Sequence, residues 1–326
     1  MLKRNPETAL NKRLTIDTLF ERYALITVFL IMVLVFSILC PSFFSWNNFI
    51  NVIVSAAATG IATVGMAIVI MQNGIDLSAG STMYLGAIVC SKLMNHGYGV
   101  TVFVLVVLLT GAAVGTVNGV LITRFKVVPF IATYGMMMLV RGVALTMSGQ
   151  RNVIFSDPVA AILATQQWLG IPVIVYVFFL VLVLAYIILT HTPFGRQLYA
   201  IGNDQRAAQK IGIRVQRSRL IAYMICGACA ACAGLIVGAQ SGAFNTSLGD
   251  GKEFTFISAA VLGGVSLSGG RAKVFPHLFV GILIITAVEA GLVMVSANPY
   301  LYKIVRGGLI AVAVIFDSFH SKGELR

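Results

Sequence analysis

The run VTVFVLVVLLTGAAVGTVNGVLI, residues 100–122, decides the fold. It holds no Asp, Glu, Lys or Arg, and as an α-helix it rises about 35 Å, enough to cross a hydrocarbon core of about 30 Å. Gly111, Gly115 and Gly119 recur every fourth residue along it, which lets a neighbouring helix approach closely. Working outward with the same ruler gives ten candidate spans: 23–43, 50–71, 79–94, 100–122, 128–148, 170–190, 219–240, 254–265, 275–295 and 299–317. The third and eighth are short, and without them the count is eight.

Composition supports that reading over the whole chain. Hydrophobic residues make up 58% of the 326 and charged residues only 10%, against roughly 25% charged in an ordinary globular chain, and the mean hydropathy is +0.93. We expect an all-α integral membrane protein of about ten transmembrane helices, forming a single transmembrane domain over 1–326. The polar lead, 1–22, carries Leu10, Leu14 and Phe20 among its charges and reads as an interfacial helix. The first apolar run is too long for a signal h-region and lacks an A-x-A-like site, so we expect a retained first span.

The net charge of +12 would suit nucleic acid, but its distribution points elsewhere. With a cytosolic N-terminus and an even number of spans, the inner segments hold the lead cations, Arg124, Lys126, the six cations of 191–219, Arg271, Lys273, Lys322 and Arg326. The outer segments hold Lys92, Arg151, Lys252 and Lys303. That asymmetry is the positive-inside pattern. Both termini and the 191–219 loop are expected in the cytosol, and no nucleic-acid partner is expected.

Several chemistries are missing. No G-x-x-x-x-G-K-[ST], H-E-x-x-H or G-x-S-x-G occurs, so we expect no catalytic residue and no metal site in this chain. Cys226, Cys229 and Cys232 have the spacing of an iron–sulfur run, yet they lack a fourth cysteine and lie in a Gly- and Ala-rich span. They read as small packing residues. Five cysteines within or beside apolar runs are no disulfide framework.

One motif occurs twice. Gly74-Ile75-Asp76-Leu77-Ser78-Ala79-Gly80 returns as Gly264-Val265-Ser266-Leu267-Ser268-Gly269-Gly270. Each copy interrupts apolar sequence, a pattern that marks a transport pathway. The same residues also suit a turn in which Asp76, Ser78, Ser266 or Ser268 accepts from backbone N–H groups of the next helix. The two readings are compatible, because irregular backbone at membrane depth survives where protein or water surrounds it.

Charges inside spans are costly and mark function or pairing. Arg141, Glu289 and Arg306 reach similar depth by helical rise, in the outer third. They suggest one cluster, either an ion pair that fixes packing or a direct solute contact. Asn118 is a weaker candidate of the same kind.

The inner loop carries Arg196, Arg206, Lys210, Arg214, Arg217 and Arg219 against one acid, Asp204. Asn203 or Asp204 can cap a short helix from Gln205 to Ile211, stopped by Gly212. Ala207, Ala208 and Ile211 form its apolar stripe. It is either an interfacial helix on anionic lipid or a docking helix for a cytosolic partner.

The sequence resembles the permease subunit of ribose-type bacterial ABC importers. The resemblance rests on Gly74–Gly80, on Pro129–Thr133 with Leu139–Gly142, on Phe194–Arg196 with Ala200–Asn203, on Val261–Gly270 and on Ile304–Gly307. It implies a second permease chain, commonly identical; a separate cytosolic ATPase that uses ATP and Mg; and a periplasmic sugar-binding protein. It implies alternating access by a chain that binds no cofactor itself, in the bacterial inner membrane with lipid around it. It makes Arg196, Asn203, Asp204, Arg206, Ala207, Ala208 and Lys210 the ATPase-coupling residues, and leaves the sugar open. The rival functions are a proton-coupled sugar transporter using Glu289 or Asp76, and a membrane enzyme, which would need clustered His or acids that the chain lacks.

Overall fold

A computed structural model describes residues 16–298 and 300–311. Helix α1, Ile16–Leu39, ends at a 3-10 turn over Pro41–Phe44. Ser45 then accepts from the Asn48 backbone N–H and caps α2, Trp46–Met71. Next come α3, Ala79–Ser91; α4, Val100–Thr123; and α5, Pro129–Ser148, which starts on a proline and stops where Gly149 turns left-handed. Asp157 caps the short α6, Pro158–Thr165. The second half contains α7, Val173–His191; α8, Pro193–Asn203; α9, Gln205–Lys210; α10, Val215–Ser241; α11, Lys252–Leu262; α12, Phe279–Met294; and a final helix α13 over 300–311.

Among the described residues, six helices are long and apolar enough to cross a bilayer. They are α2, α4, α5, α7, α10 and the stretch Val274–Met294 that contains α12. Shorter apolar helices lie at Leu25–Leu39 and in α3. This makes the chain a multi-pass membrane protein. The eighth expected span coincides with α11, only 11 residues long and opening on Lys252 and Glu253. Part of the tenth expected span, and lead residues 1–15 with Leu10 and Leu14, lie outside the described residues.

α10 is the axis of the molecule and packs against α4, α2 and α3. The glycines expected to permit close approach do so here. A Cβ at Gly111 would overlap the Gly227 carbonyl, and one at Gly115 the Tyr223 carbonyl. On another face of α10, Cys226 and Cys229 abut Gly65 of α2, where an added Cβ would sit 2.9 Å from each residue. All three cysteines of the run are free. Outward, α5 and α7 show Ile131, Met138, Leu139, Leu180 and Val183, an apolar surface suited to lipid or another chain.

Two small sheets, not expected from the sequence, form in the loops. β1, Val153–Ile154, pairs antiparallel with β4, Ala243–Phe244, and β2, Gln167–Trp168, pairs with β3, Ile171–Pro172.

Candidate functional site

The first copy of the repeated motif forms the bend between α2 and α3. Asp76 Oδ1 accepts from the Ser78 backbone N–H at 2.9 Å, from Ser78 Oγ at 2.6 Å and from Asn118 Nδ2 at 3.3 Å. Asn118 also donates to Ser78 Oγ at 2.8 Å. All three side chains are buried, and among the described residues Asp76 pairs with no cation. The burial of this carboxyl group is offset by hydrogen bonds alone. Thr133 and Tyr223 close the cluster by donating to the Ile75 carbonyl. Asn118 thus belongs with the motif rather than with the buried charges.

Gln72, beside this bend, went unnoticed in the sequence. It is 1% exposed, and among the described residues neither polar atom of its side chain has a partner. Such a group is costly to bury unless water or a solute meets it.

The second copy follows α11. Ser266 is buried and its Oγ accepts from the Ser268 backbone N–H at 3.3 Å. Position three of each copy therefore makes the same local turn, as Asp76 or as Ser266. Ser268 is exposed. The two loops meet: the Gly270 N–H donates to the Met71 carbonyl at the end of α2, 2.9 Å away. α8 presses on both. A Cβ at Gly202 would overlap the Met71 oxygen and the Gly270 nitrogen, and Tyr199 donates to the Ala272 carbonyl at 2.9 Å. Gly202 lies in the Ala200–Asn203 stretch that carries the resemblance but was given no role of its own, and Tyr199 was not singled out, since an isolated Tyr in a loop helix carries no distinctive spacing.

The expected cluster of three intramembrane charges is only partly present. Glu289 accepts from Arg306 Nη2 at 2.8 Å and Nε at 3.2 Å. The other cation is Lys252, at 2.7 Å, with Thr255 at 3.3 Å. Arg141 stands apart: it donates to the Thr246 and Leu248 carbonyls, both at 2.6 Å, and its guanidinium lies over the Tyr84 ring. Depth alone grouped it with Glu289, whereas its helix face turns toward the 243–251 loop. Lys252, read from sequence as an ordinary outer-loop cation, takes the place expected for Arg141. The triad borders a cleft of about 270 Å³ that also touches Ser55, Thr286 and Tyr302.

In the 191–219 loop, Asp204 caps α9 by accepting from the Arg206 and Ala207 backbone N–H groups at 2.7 and 3.1 Å. The Ala207 and Arg206 amides, then the nearby Arg206 and Lys210 charges, hold its carboxyl below the usual carboxylate range. Asn203 ends α8 instead of capping, and Gly212 is left-handed past the end of α9 as expected. The apolar stripe divides. Ala208 is buried with Ile201 and Val215, while Ala207 and Ile211 are exposed. Arg196, Arg206 and Lys210 are exposed as well.

Comparison with known proteins follows this architecture. Residues 48–314 match the family described as branched-chain amino acid transport system / permease component. The ribose import permease of Escherichia coli K12 is 34% identical over 92% of this chain and 94% of its own. That of Bacillus subtilis 168 is 33% identical over 94% and 95%. The D-allose transport system permease of Escherichia coli K12 is 32% identical over 93% of each chain. No solved structure matches. A family match over most of the length, with relatives a third identical from end to end, gives the conclusion that this chain belongs to the branched-chain amino acid transport system / permease component family.

Proposed function

We propose that this chain is the membrane-spanning subunit of an ABC importer that carries a monosaccharide inward by alternating access. What carries the reading is the end-to-end likeness to permeases named for ribose and allose. The family description names amino acids, but the relatives aligned over the whole chain are sugar permeases, and they decide the substrate class. The chain performs no covalent chemistry. A cytosolic ATPase supplies ATP hydrolysis with Mg, a periplasmic protein supplies the sugar, and a second copy of this chain completes the pore.

In this reading the domain over 1–326 has about ten spans in the bacterial inner membrane, with both termini and 191–219 in the cytosol. Asp76, Ser78, Asn118, Ser266 and Ser268 lie along the inner part of the route, and Glu289 and Arg306 along the outer part. Arg141 holds the outer loop that borders it. The coupling surface comprises Arg196, Asn203, Asp204, Arg206, Ala207 and Lys210, with Ala208 fixing the helix from beneath. The junction of α8 with Met71 and Gly270 supports a mechanical link, because movement of α8 bears on both repeat loops at once. The proton-coupled alternative is weakened at Glu289, which two cations and Thr255 already occupy.

Uptake by reconstituted vesicles tests the proposal. Labelled ribose or allose should accumulate only with ATP on the ATPase side and a binding protein on the other. Uptake driven by a proton gradient without ATP would overturn it. A thiol probe at Gln209, placed by Gln209→Cys in intact cells, should resist impermeant reagent; labelling from outside would reverse the orientation.

A further inference from the structure

α10 is longer than a bilayer requires. Its 27 residues rise about 40 Å against a hydrocarbon core of about 30 Å, so about 10 Å of it stands in a headgroup layer. The cations Arg214, Arg217 and Arg219 mark its N-terminal foot as that part. Beside the foot, against the start of α8, lies a groove of about 400 Å³ whose walls include Phe194, Gln197, Arg214, Arg217, Ser218 and Ile221.

The polarity of this groove is graded. Residues 214, 217, 218 and 221 follow the i, i+3, i+4, i+7 spacing of one helix face, with cations at the foot and Ile221 about 10 Å further along. Phe194 adds a second apolar wall. Among the described residues, neither Arg214 nor Arg217 pairs with a carboxylate. Ser218 Oγ donates to Gln197 Oε1 at 2.9 Å, which leaves the Gln197 amide N–H groups as its free polar atoms. The groove therefore offers donors and positive charge at one end and hydrocarbon at the other.

We propose that this groove holds an anionic phospholipid, its phosphodiester between Arg214 and Arg217 and an acyl chain along Phe194 and Ile221. A free phosphate would leave the apolar walls unused. An acidic protein segment would have to lay polar backbone against Ile221 at the edge of the hydrocarbon, where its N–H and C=O groups lack partners. An amphiphile matches both ends, and basic pockets between spans are suited to such headgroups. The site itself stands independently of the function proposed above, which fixes only the leaflet that supplies the lipid.

Native mass spectrometry of the purified full chain, titrated with phosphatidylglycerol or phosphatidylcholine of equal chain length, tests the site. Phosphatidylglycerol should bind preferentially. The double variant Arg214→Gln/Arg217→Gln should weaken it about thirtyfold, the effect of losing two basic side chains near an anionic group. Arg214→Lys/Arg217→Lys should retain most of the affinity and control for folding, and Arg124→Gln should change nothing. Glycerol phosphate at equal concentration should not compete. Unchanged binding in the Gln double variant, an equal loss in Arg124→Gln, or full competition by glycerol phosphate would each overturn the proposal. So would a Gln double variant that keeps phosphatidylglycerol but no longer retains the ATPase, because the groove would then be a protein-docking surface. The Gln209 labelling experiment reports on orientation separately.

Discussion

Replacing Glu289 with Ala removes one carboxylate and strands two cations. Lys252 and Arg306 have side chains 26% and 20% exposed, and Glu289 is 21% exposed. An exposed pair contributes about 0–1 kcal/mol, and breaking a fully buried one costs about 3–5 kcal/mol. At one-fifth to one-quarter exposure, facing a cleft, the loss for Glu289→Ala should be about 2–3 kcal/mol. Arg306→Met leaves Lys252 on Glu289 Oε2, so its loss should be smaller, about 1–2 kcal/mol. The double variant should lose less than the sum, with a coupling energy of about 1 kcal/mol or more. Glu289→Ala combined with Arg141→Met should be additive, because Arg141 bonds to the 243–251 loop and shares no partner with Glu289. Equilibrium unfolding in mixed micelles with increasing dodecyl sulfate, followed by circular dichroism, gives all the terms. If Glu289 and Arg306 are additive within about 0.5 kcal/mol while Glu289 and Arg141 are coupled, the pairing argued above is wrong.

Four further outcomes follow from the same contacts. Ala208→Trp should overpack Ile201 and Val215 and cost about 1–3 kcal/mol, visible as lower thermal stability. Ala207→Trp, on the exposed side, should leave stability within about 0.5 kcal/mol yet abolish ATP-driven uptake; normal coupling in reconstituted vesicles would remove the docking role from α9. Asp76→Asn should keep the bend, since an amide oxygen still accepts from Ser78 and Asn118. Asp76→Leu leaves the Ser78 N–H and hydroxyl buried without their acceptor, while Asn118 keeps Ser78 Oγ, and should cost about 1–3 kcal/mol for each lost acceptor, so equal stability of the two variants would contradict the cluster. Arg141→Met should free the loop over 243–251, and faster cleavage there in limited proteolysis, relative to Glu289→Ala, is the expected readout.

The membrane class, the positions of the long helices and the interruption at each repeated motif were legible in the sequence. Each depends on local quantities: transfer of side chains to hydrocarbon adds residue by residue, and a helix gains length at a fixed rise. The cap at Asp204, with its two amides, was legible for the same reason, whereas Ser78 starts α3 without a side-chain cap bond. Partners across the molecule were not legible. Arg141 and Arg306 share a depth, and nothing in axial rise tells which of them faces Glu289. That choice belongs to the lateral arrangement of helices, which put Lys252 beside the acid and turned Arg141 to a loop. Asn118 sits in a glycine-studded span and reads as packing or pathway; only the crossing of α4 over the α2–α3 bend brings it to Asp76. Ala207 and Ala208 are adjacent and chemically identical, and the sequence cannot say which one the body of the protein covers. Packing against Ile201 and Val215 buries one and leaves its neighbour exposed, because successive residues of a helix point about 100° apart and only one direction meets the core.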